Sequence, residues 1–229
     1  MNSEELRQMP DFHLYIGYRH TSSWSLRGWL PMRKVGVPFE ETLIRYRLAD
    51  HKARLVEVSP TGKVPFLVHK RDGGEVKVWD SLAIGEYLAE LFPNARLWPE
   101  DPAARAFARS VSAEMHSGFR PLREHLNMAV LEHHPRPKNT EADADIARVE
   151  AIWRECRERW GAMGEGPYLF GHFTIADAMY APIVSRFHTY GVTLDPAGTA
   201  YMAAMLADPD ISAWFAQAKR DPEPEPLPA

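Results

Sequence analysis

Apolar and polar positions follow two alternating periods along the first ninety or so residues. The run "FHLYIGY", Phe12 to Tyr18, is dense in aromatic and branched side chains and predicts a strand. Ser23 to Val35 repeats at helical spacing and stops at Gly36, and Pro31 inside it predicts a kink or an early end. "FEETLIRY", Phe39 to Tyr46, alternates as a second strand. Asp50 to Val58 fits a short helix or an irregular loop. "VPFLVHK" and "EVKVW", Val64 to Lys70 and Glu75 to Trp79, flank Asp72-Gly73-Gly74, which signals a hairpin. Ile84, Tyr87, Leu88 and Leu91 then fall at i, i+3, i+4 and i+7, the spacing of an amphipathic helix. The order β-α-β-(α)-β-β-α predicts a four-stranded mixed sheet with helices packed on it.

The pattern changes after Phe92. "PNARLWPEDP" is rich in proline and reads as a linker. Beyond it Phe107, Val111, Met115, Phe119, Leu122 and Leu126 run at helical spacing, with a bend expected near Pro121. Ile146, Val149, Trp153, Cys156 and Trp160 form a second buried helix face, and Ala176, Tyr180, Ile183, Val184 and Phe187 a third. Shorter helices are predicted near Gly198 to Leu206 and Ile211 to Lys219. The expected layout is an α/β domain over residues 1–93, a linker over 94–101, an all-helical domain over 102–221, and a disordered Pro-rich tail over 222–229.

Composition narrows the function classes. Of 229 residues, 45% are hydrophobic and 25% charged, ordinary for a globular protein with a core. A net charge of −4 argues against a nucleic-acid partner, which calls for a basic patch. No apolar run approaches the roughly 20 residues that span a bilayer, so no membrane partner is expected. "MNSEELRQMPDF" lacks the apolar core of a signal peptide. Cys156 is the single cysteine, which forbids an intrachain disulfide, and a cytoplasmic location is expected. Ten histidines raise the question of a metal, but His133-His134 has no third ligand at usable spacing, and none is expected.

Four short stretches carry the candidate chemistry. "RHTSSWSLRGW" places His20, Thr21, Ser22 and Ser23 where a strand feeds a helix. Unpaired N–H groups and partial positive charge at such a helix start favour an anion, and the serines add hydroxyl donors. "SPTGKVPFL" turns into Val64-Pro65 at the start of a strand, where a proline cannot join the ladder and adopts the cis form at low cost. "VWDSLAIGEYL" sets Asp80 and Ser81 at a second strand-to-helix junction, suited to a carboxylate with an ammonium group beside it. Each junction also suits a simple N-cap. In "GHFTIADAMYAP", Thr174 and Asp177 stand at N-cap and N3 and form a structural capping box.

Together these stretches resemble the cytosolic glutathione S-transferases over about Phe12 to Lys219. "SPTGKVPFL" is similar to the family's cis-proline segment, "WDSLAIGEYL" to its γ-glutamyl-binding segment, "TIADAMYAP" to its capping motif, and "SSWSLRGWL" to a bacterial branch. The resemblance implies a thioredoxin-like first domain, a helical-bundle second domain, glutathione as co-substrate and a homodimer. It implies that Val64 pairs its backbone with the cysteinyl part of glutathione and that Pro65 is cis. Ser81 would bind the γ-glutamyl carboxylate and Asp80 the amino group, although the family usually has Glu or Gln at that position. Lys52 and Lys63 are implied for the glycyl carboxylate, and His20 or Thr21 for support near the sulfur. Ser22 is favoured as the residue that contacts the thiol, with Ser23 second. Met115, His116 and Phe119 are assigned to the apolar wall of the electrophile site, and ordinary core is their competing role.

The implied task is to keep a thiol ionised. A free thiol titrates near pH ~8.5. A hydroxyl bond to the thiolate contributes about 1.5–3 kcal/mol and a helix start about 0.3–1 kcal/mol. Together they lower the thiol by about 1.5–3 pH units. A disulfide oxidoreductase of this fold would need a cysteine where these serines stand. A glutathione-dependent isomerase and a non-catalytic glutathione-binding module remain as alternatives.

Overall fold

A computed structural model describes residues 11–45 and 51–221. Its sheet is built around β1 (Phe12–Ile16), whose alternate residues Phe12, Leu14 and Ile16 point into the core. The strand order is β2-β1-β3-β4, with β2 spanning Phe39–Leu43, β3 Phe66–Arg71 and β4 Gly74–Trp79. β1 pairs with β2 in parallel and with β3 antiparallel, and β3 and β4 form the hairpin, with Phe66 opposite Trp79. The sheet is therefore mixed, as the strand pattern predicts. A parallel pair needs a crossover, and helix α1 (Ser23–Val35) supplies it.

Several boundaries differ from expectation, and β1 ends at Ile16 rather than at Tyr18. β3 begins at Phe66 and not at Val64, because Pro65 has no N–H to give a neighbour. The Val64–Pro65 peptide is cis. Pro31 does not end α1; the helix runs on to Val35, and Gly36 at φ 73° closes it with an N–H bond to the Arg33 carbonyl. β2 ends at Leu43, short of Ile44 and Arg45; Tyr46, the predicted end, lies outside the described residues, as does the Pro-rich tail.

The helical region runs from α4 (Pro102–Ser117) through α5 (Arg120–His125), α6 (Thr140–Trp160), α7 (Ile175–Thr189) and α8 (Pro196–Ala207) to α9 (Pro209–Ala218); α2 (His51–Val58) and α3 (Ser81–Leu91) belong to the sheet side. The predicted bend near Pro121 is a break: Gly118 and Phe119, the latter at φ 59°, separate α4 from α5. α7 is buried along nearly its whole length, with apolar residues on every face and Asp177, Ser185 and Arg186 buried among them. Trp153 of α6 packs against Tyr180, Phe187 and Tyr201. The Asp177 carboxylate accepts from the Thr174 N–H at 2.8 Å, the Leu169 N–H at 3.0 Å and the Tyr201 hydroxyl at 3.1 Å. Burial nevertheless raises its pKa, against those bonds.

The two regions share one interface. α1 lies between the sheet and α7, and the buried Arg27 donates from Nε to the Met179 carbonyl at 3.1 Å. Gly28, on the same helix, faces Pro65: a Cβ there would stand 2.8 Å from the proline ring. Lys34 at the end of α1 meets Asp208, the N-cap of α9, at 2.8 Å.

Candidate functional site

A cleft of about 660 Å³ opens where the strand ends meet the helical region, lined by Trp24, Thr61, Gly62, Lys63, Val64, Pro65, Trp79, Asp80, Ser81 and His116. Lys63, Val64 and Pro65 come from the turn before β3. Asp80 and Ser81 sit at the start of α3, and His116 reaches in from the last turn of α4.

Both readings of the Asp80-Ser81 junction meet in one place. Asp80 Oδ1 caps α3 by accepting from Leu82 N–H at 2.8 Å and Ala83 N–H at 3.3 Å. Its backbone is held at φ 75°, a region an L side chain enters at a cost of ~1–3 kcal/mol. Its Oδ2 takes the His116 Nε2 at 2.6 Å. Ser81 is 1% exposed, and its hydroxyl is buried with no hydrogen-bond partner among the described residues. An unmet buried hydroxyl costs roughly 1–3 kcal/mol and so suits a ligand acceptor.

The opening serines stand beside the cleft and do not line it. Ser22 is the N-cap of α1, accepts from Ser25 N–H at 3.4 Å and donates its own hydroxyl to Ser25 Oγ at 2.8 Å. Ser25 Oγ in turn accepts from Gly17 N–H at 2.9 Å. Ser23 is 8% exposed. Trp24, the next residue, walls the cleft and meets the His116 ring edge-on at 5.1 Å. The turn that presents these serines is fixed from the helical region: Asp221 accepts from the Arg19 N–H at 2.9 Å, Trp214 Nε1 donates to the Arg19 carbonyl at 2.9 Å, and Val130 N–H donates to the His20 carbonyl at 3.1 Å.

Several expected site residues are placed otherwise. His20 bonds Glu132 at 2.7 Å, outside the cleft, and His134 takes the other Glu132 oxygen at 2.5 Å. The two hydrogen bonds from His20 and His134 lower the Glu132 pKa. Met115 and Phe119 are buried at 0% and 7% exposure within the core and do not line the cleft, so ordinary packing is what they do. His116 is a polar cleft residue and not part of an apolar wall, because its imidazole is committed to Asp80. Lys63 lines the cleft, whereas the Lys52 side chain lies outside the described residues. Trp24, Thr61 and Trp79 are cleft residues that the sequence reading did not single out. The signal for Trp24 was an aromatic ring set inside a polar cap; Trp79 carried only the pattern of an edge strand.

Residues 21–91 match the profile of the glutathione S-transferase N-terminal domain and residues 139–217 that of its C-terminal domain. The chain belongs to the glutathione S-transferase family. It is 32% identical over 190 residues to a probable maleylacetoacetate isomerase of Caenorhabditis elegans, covering 81% of this chain and 83% of the relative. The glutathione S-transferase GstB of Escherichia coli K12 is 23% identical over 199 residues, 84% of this chain and 86% of the relative. A crystal structure of maleylacetoacetate isomerase from Anaeromyxobacter dehalogenans with bound glutathione superposes with a TM-score of 0.64 at 26% identity, covering 95% of this chain and 99% of that one. A Burkholderia glutathione transferase homologue with bound glutathione gives a TM-score of 0.66 at 24% identity over 93% of this chain and 99% of that one, a likeness of fold. This glutathione S-transferase therefore has a thioredoxin-like sheet domain followed by a helical domain, and its activity is glutathione-dependent. Among the described residues no helix is long and apolar enough to cross a membrane, and no cluster of three or more metal-ligating side chains occurs.

Proposed function

We propose that the protein binds glutathione in the cleft, holds its sulfur as a thiolate at the start of α1, and directs it at a small electrophile. The observation that carries this reading is the unmet, buried Ser81 hydroxyl in the first turn of α3, within a cleft walled by the cis Val64–Pro65 pair. The pair fits a γ-glutamyl group: Ser81 donates to the carboxylate, at a helix start that favours an anion, and Asp80 accepts from the ammonium. Asp80 is shorter than the usual Glu or Gln, and the His116 bond at 2.6 Å fixes it for that task. Val64 offers its backbone to the cysteinyl unit, and Lys63, with Lys52, serves the glycyl carboxylate. Ser22 steadies the sulfur by turning its hydroxyl from Ser25 Oγ toward the thiolate, with Ser23 as the second donor. The serine acts as a hydrogen-bond donor, and the sulfur is the nucleophile. The working form is a homodimer in the cytoplasm, with the domain boundaries near residues 93 and 102.

Calorimetric titration with glutathione tests the reading. The expected result is saturable binding that weakens about tenfold in Ser81→Ala, the loss of one hydrogen bond to a charged group. No heat with the wild-type protein removes the reading.

A second reading is an isomerase, favoured by the 32% identity to a probable maleylacetoacetate isomerase. There the thiolate adds to a conjugated double bond, the bond rotates, and elimination returns glutathione. Glutathione consumption separates the two: a transferase uses one equivalent per turnover and an isomerase none. A protein that binds glutathione but turns over neither an aryl halide nor a conjugated cis-enone is the non-catalytic module.

A further inference from the structure

Asp80 still has room for another donor. Its Oδ1 accepts from the Leu82 and Ala83 N–H groups at 2.8 and 3.3 Å, and its Oδ2 from His116 Nε2 at 2.6 Å. An ionised carboxylate offers about four lone-pair sites, two on each oxygen. The free site therefore lies on Oδ2, beside the imidazole. The Asp80 side chain is 38% exposed and the His116 side chain 29%, and both line the cleft. Their bond crosses between the two regions: Asp80 opens α3 on the sheet side, and His116 belongs to the last turn of α4.

The other charged groups around this imidazole keep their charge near neutral pH. On the α1 side, Trp24 meets the ring edge-on at 5.1 Å, and the Arg27 guanidinium lies 4.9 Å from the centre of the Trp24 ring. On the α5 side, Arg123 donates to the His116 carbonyl at 3.1 Å. Lys63, from the turn before β3, lines the same cleft. Glu114, on the same helix as His116, is held by Arg148 at 2.7 Å. Burial lowers the pKa of Arg27 and of Arg123, but a guanidinium keeps its proton across the neutral range. An imidazole is the side chain that changes charge between about pH 5 and 8.

We propose that glutathione binding expels a proton from His116, a positioning residue that hands Asp80 over to the incoming ammonium. Two cations on one carboxylate oxygen stand within about 5.5 Å of each other, given a charge-assisted bond of ~2.8 Å. Their repulsion is relieved when the imidazolium gives its Nδ1 proton to solvent. Neutral His116 keeps its Nε2–H on Oδ2, and the ammonium donates to the remaining lone pair with all three of its protons retained. One cation leaves the carboxylate as the other arrives. Glutathione thus loads at neutral pH and is released as pH falls, and a ligand without a free amino group escapes the exchange. The inference rests on glutathione occupying the cleft with its amino group at Asp80.

S-methylglutathione tests it, since it keeps the ammonium and has no thiol to ionise. Calorimetric titration near pH ~6 in two buffers of different ionisation enthalpy is expected to show release of about half a proton or more per ligand bound, and affinity should fall about fivefold from pH ~7.5 to ~5.5. The glutaryl analogue of the same ligand, with hydrogen in place of the amino group, should bind more weakly at neutral pH, release no proton and show a flat pH profile. His116→Gln keeps a donor for Asp80 and cannot titrate, so it should bind S-methylglutathione with neither proton release nor pH dependence. A flat profile without proton release in wild type overturns the inference and leaves the glutathione reading intact. Undiminished proton release with the glutaryl analogue or in His116→Gln also overturns it, because the proton would then come from another group. If the variant or the analogue fails to bind, the other comparison decides. No binding of S-methylglutathione or of glutathione by wild type overturns both.

Discussion

Ser22 spends its oxygen on Ser25 N–H and its proton on Ser25 Oγ, so the hydroxyl proposed for the sulfur is already ordered by its own helix. Ser22→Ala is expected to raise the pH at which bound glutathione ionises by roughly 1–2 units, read from ultraviolet thiolate absorbance. The same variant loses a cap and about 0.5–2 kcal/mol of stability, read from denaturant unfolding. A thermal loss without the shift in ionisation would give the role to Ser23 or to the helix start. At this scale the sequence was legible where chemistry and local structure coincide: Asp80 and Ser81 were visible as a cap and lie in the cleft. It was illegible where a contact spans the chain. The His116–Asp80 bond joins residues 36 apart; the sequence reading placed His116 on an apolar wall, and no local pattern marks it as the partner of Asp80.

At the scale of elements, α1 is fixed by a close fit at its middle and a polar contact at its far end. A Cβ on Gly28 would come within 2.8 Å of Pro65, whose ring cannot swing aside. Gly28→Ala is therefore expected to cost about 1–3 kcal/mol through overpacking, despite the better helix propensity of alanine, and to weaken glutathione binding by moving Pro65. Thermal melts and a glutathione titration on the same sample check both parts. At the far end of α1, Asp208 bonds Lys34 at 2.8 Å and accepts from the Tyr168 hydroxyl at 2.6 Å. Burial alone would raise its pKa, but the bonds from Lys34 and Tyr168 outweigh it and the net shift is downward. The folded pKa thus lies below the unfolded one. The stability Asp208 supplies is complete above the ordinary carboxylate pKa of about 4 and fades as pH falls through that value toward the folded pKa. Asp208→Asn should cost about 1–3 kcal/mol at pH 7, with a gap that narrows below about pH 4 in urea melts. Elements themselves were well marked by periodicity. The α4–α5 break at Gly118 and Phe119 was not, because the apolar spacing continues across it and only the backbone at φ 59° departs.

For the whole molecule, the serine turn belongs as much to the helical region as to the sheet. Asp221 grips both the Arg19 N–H at 2.9 Å and its guanidinium at 2.6 Å, and Trp214 and Val130 take the next two carbonyls. Asp221→Ala is expected to lower kcat/KM several-fold and to speed amide exchange of residues 19–22, with less effect on thermal stability than on exchange. Unchanged exchange would mean the turn holds itself. None of this was readable beforehand, since Asp221 stood at the edge of a proline-rich run with no periodic partner. One consequence concerns synthesis. The residue that clasps Arg19 lies 202 positions later in the chain. As the polypeptide leaves the ribosome, the sheet can assemble early, but the turn that holds the serines acquires this restraint only once Asp221 has emerged. A nascent molecule is thus expected to fold its scaffold first and its chemistry last.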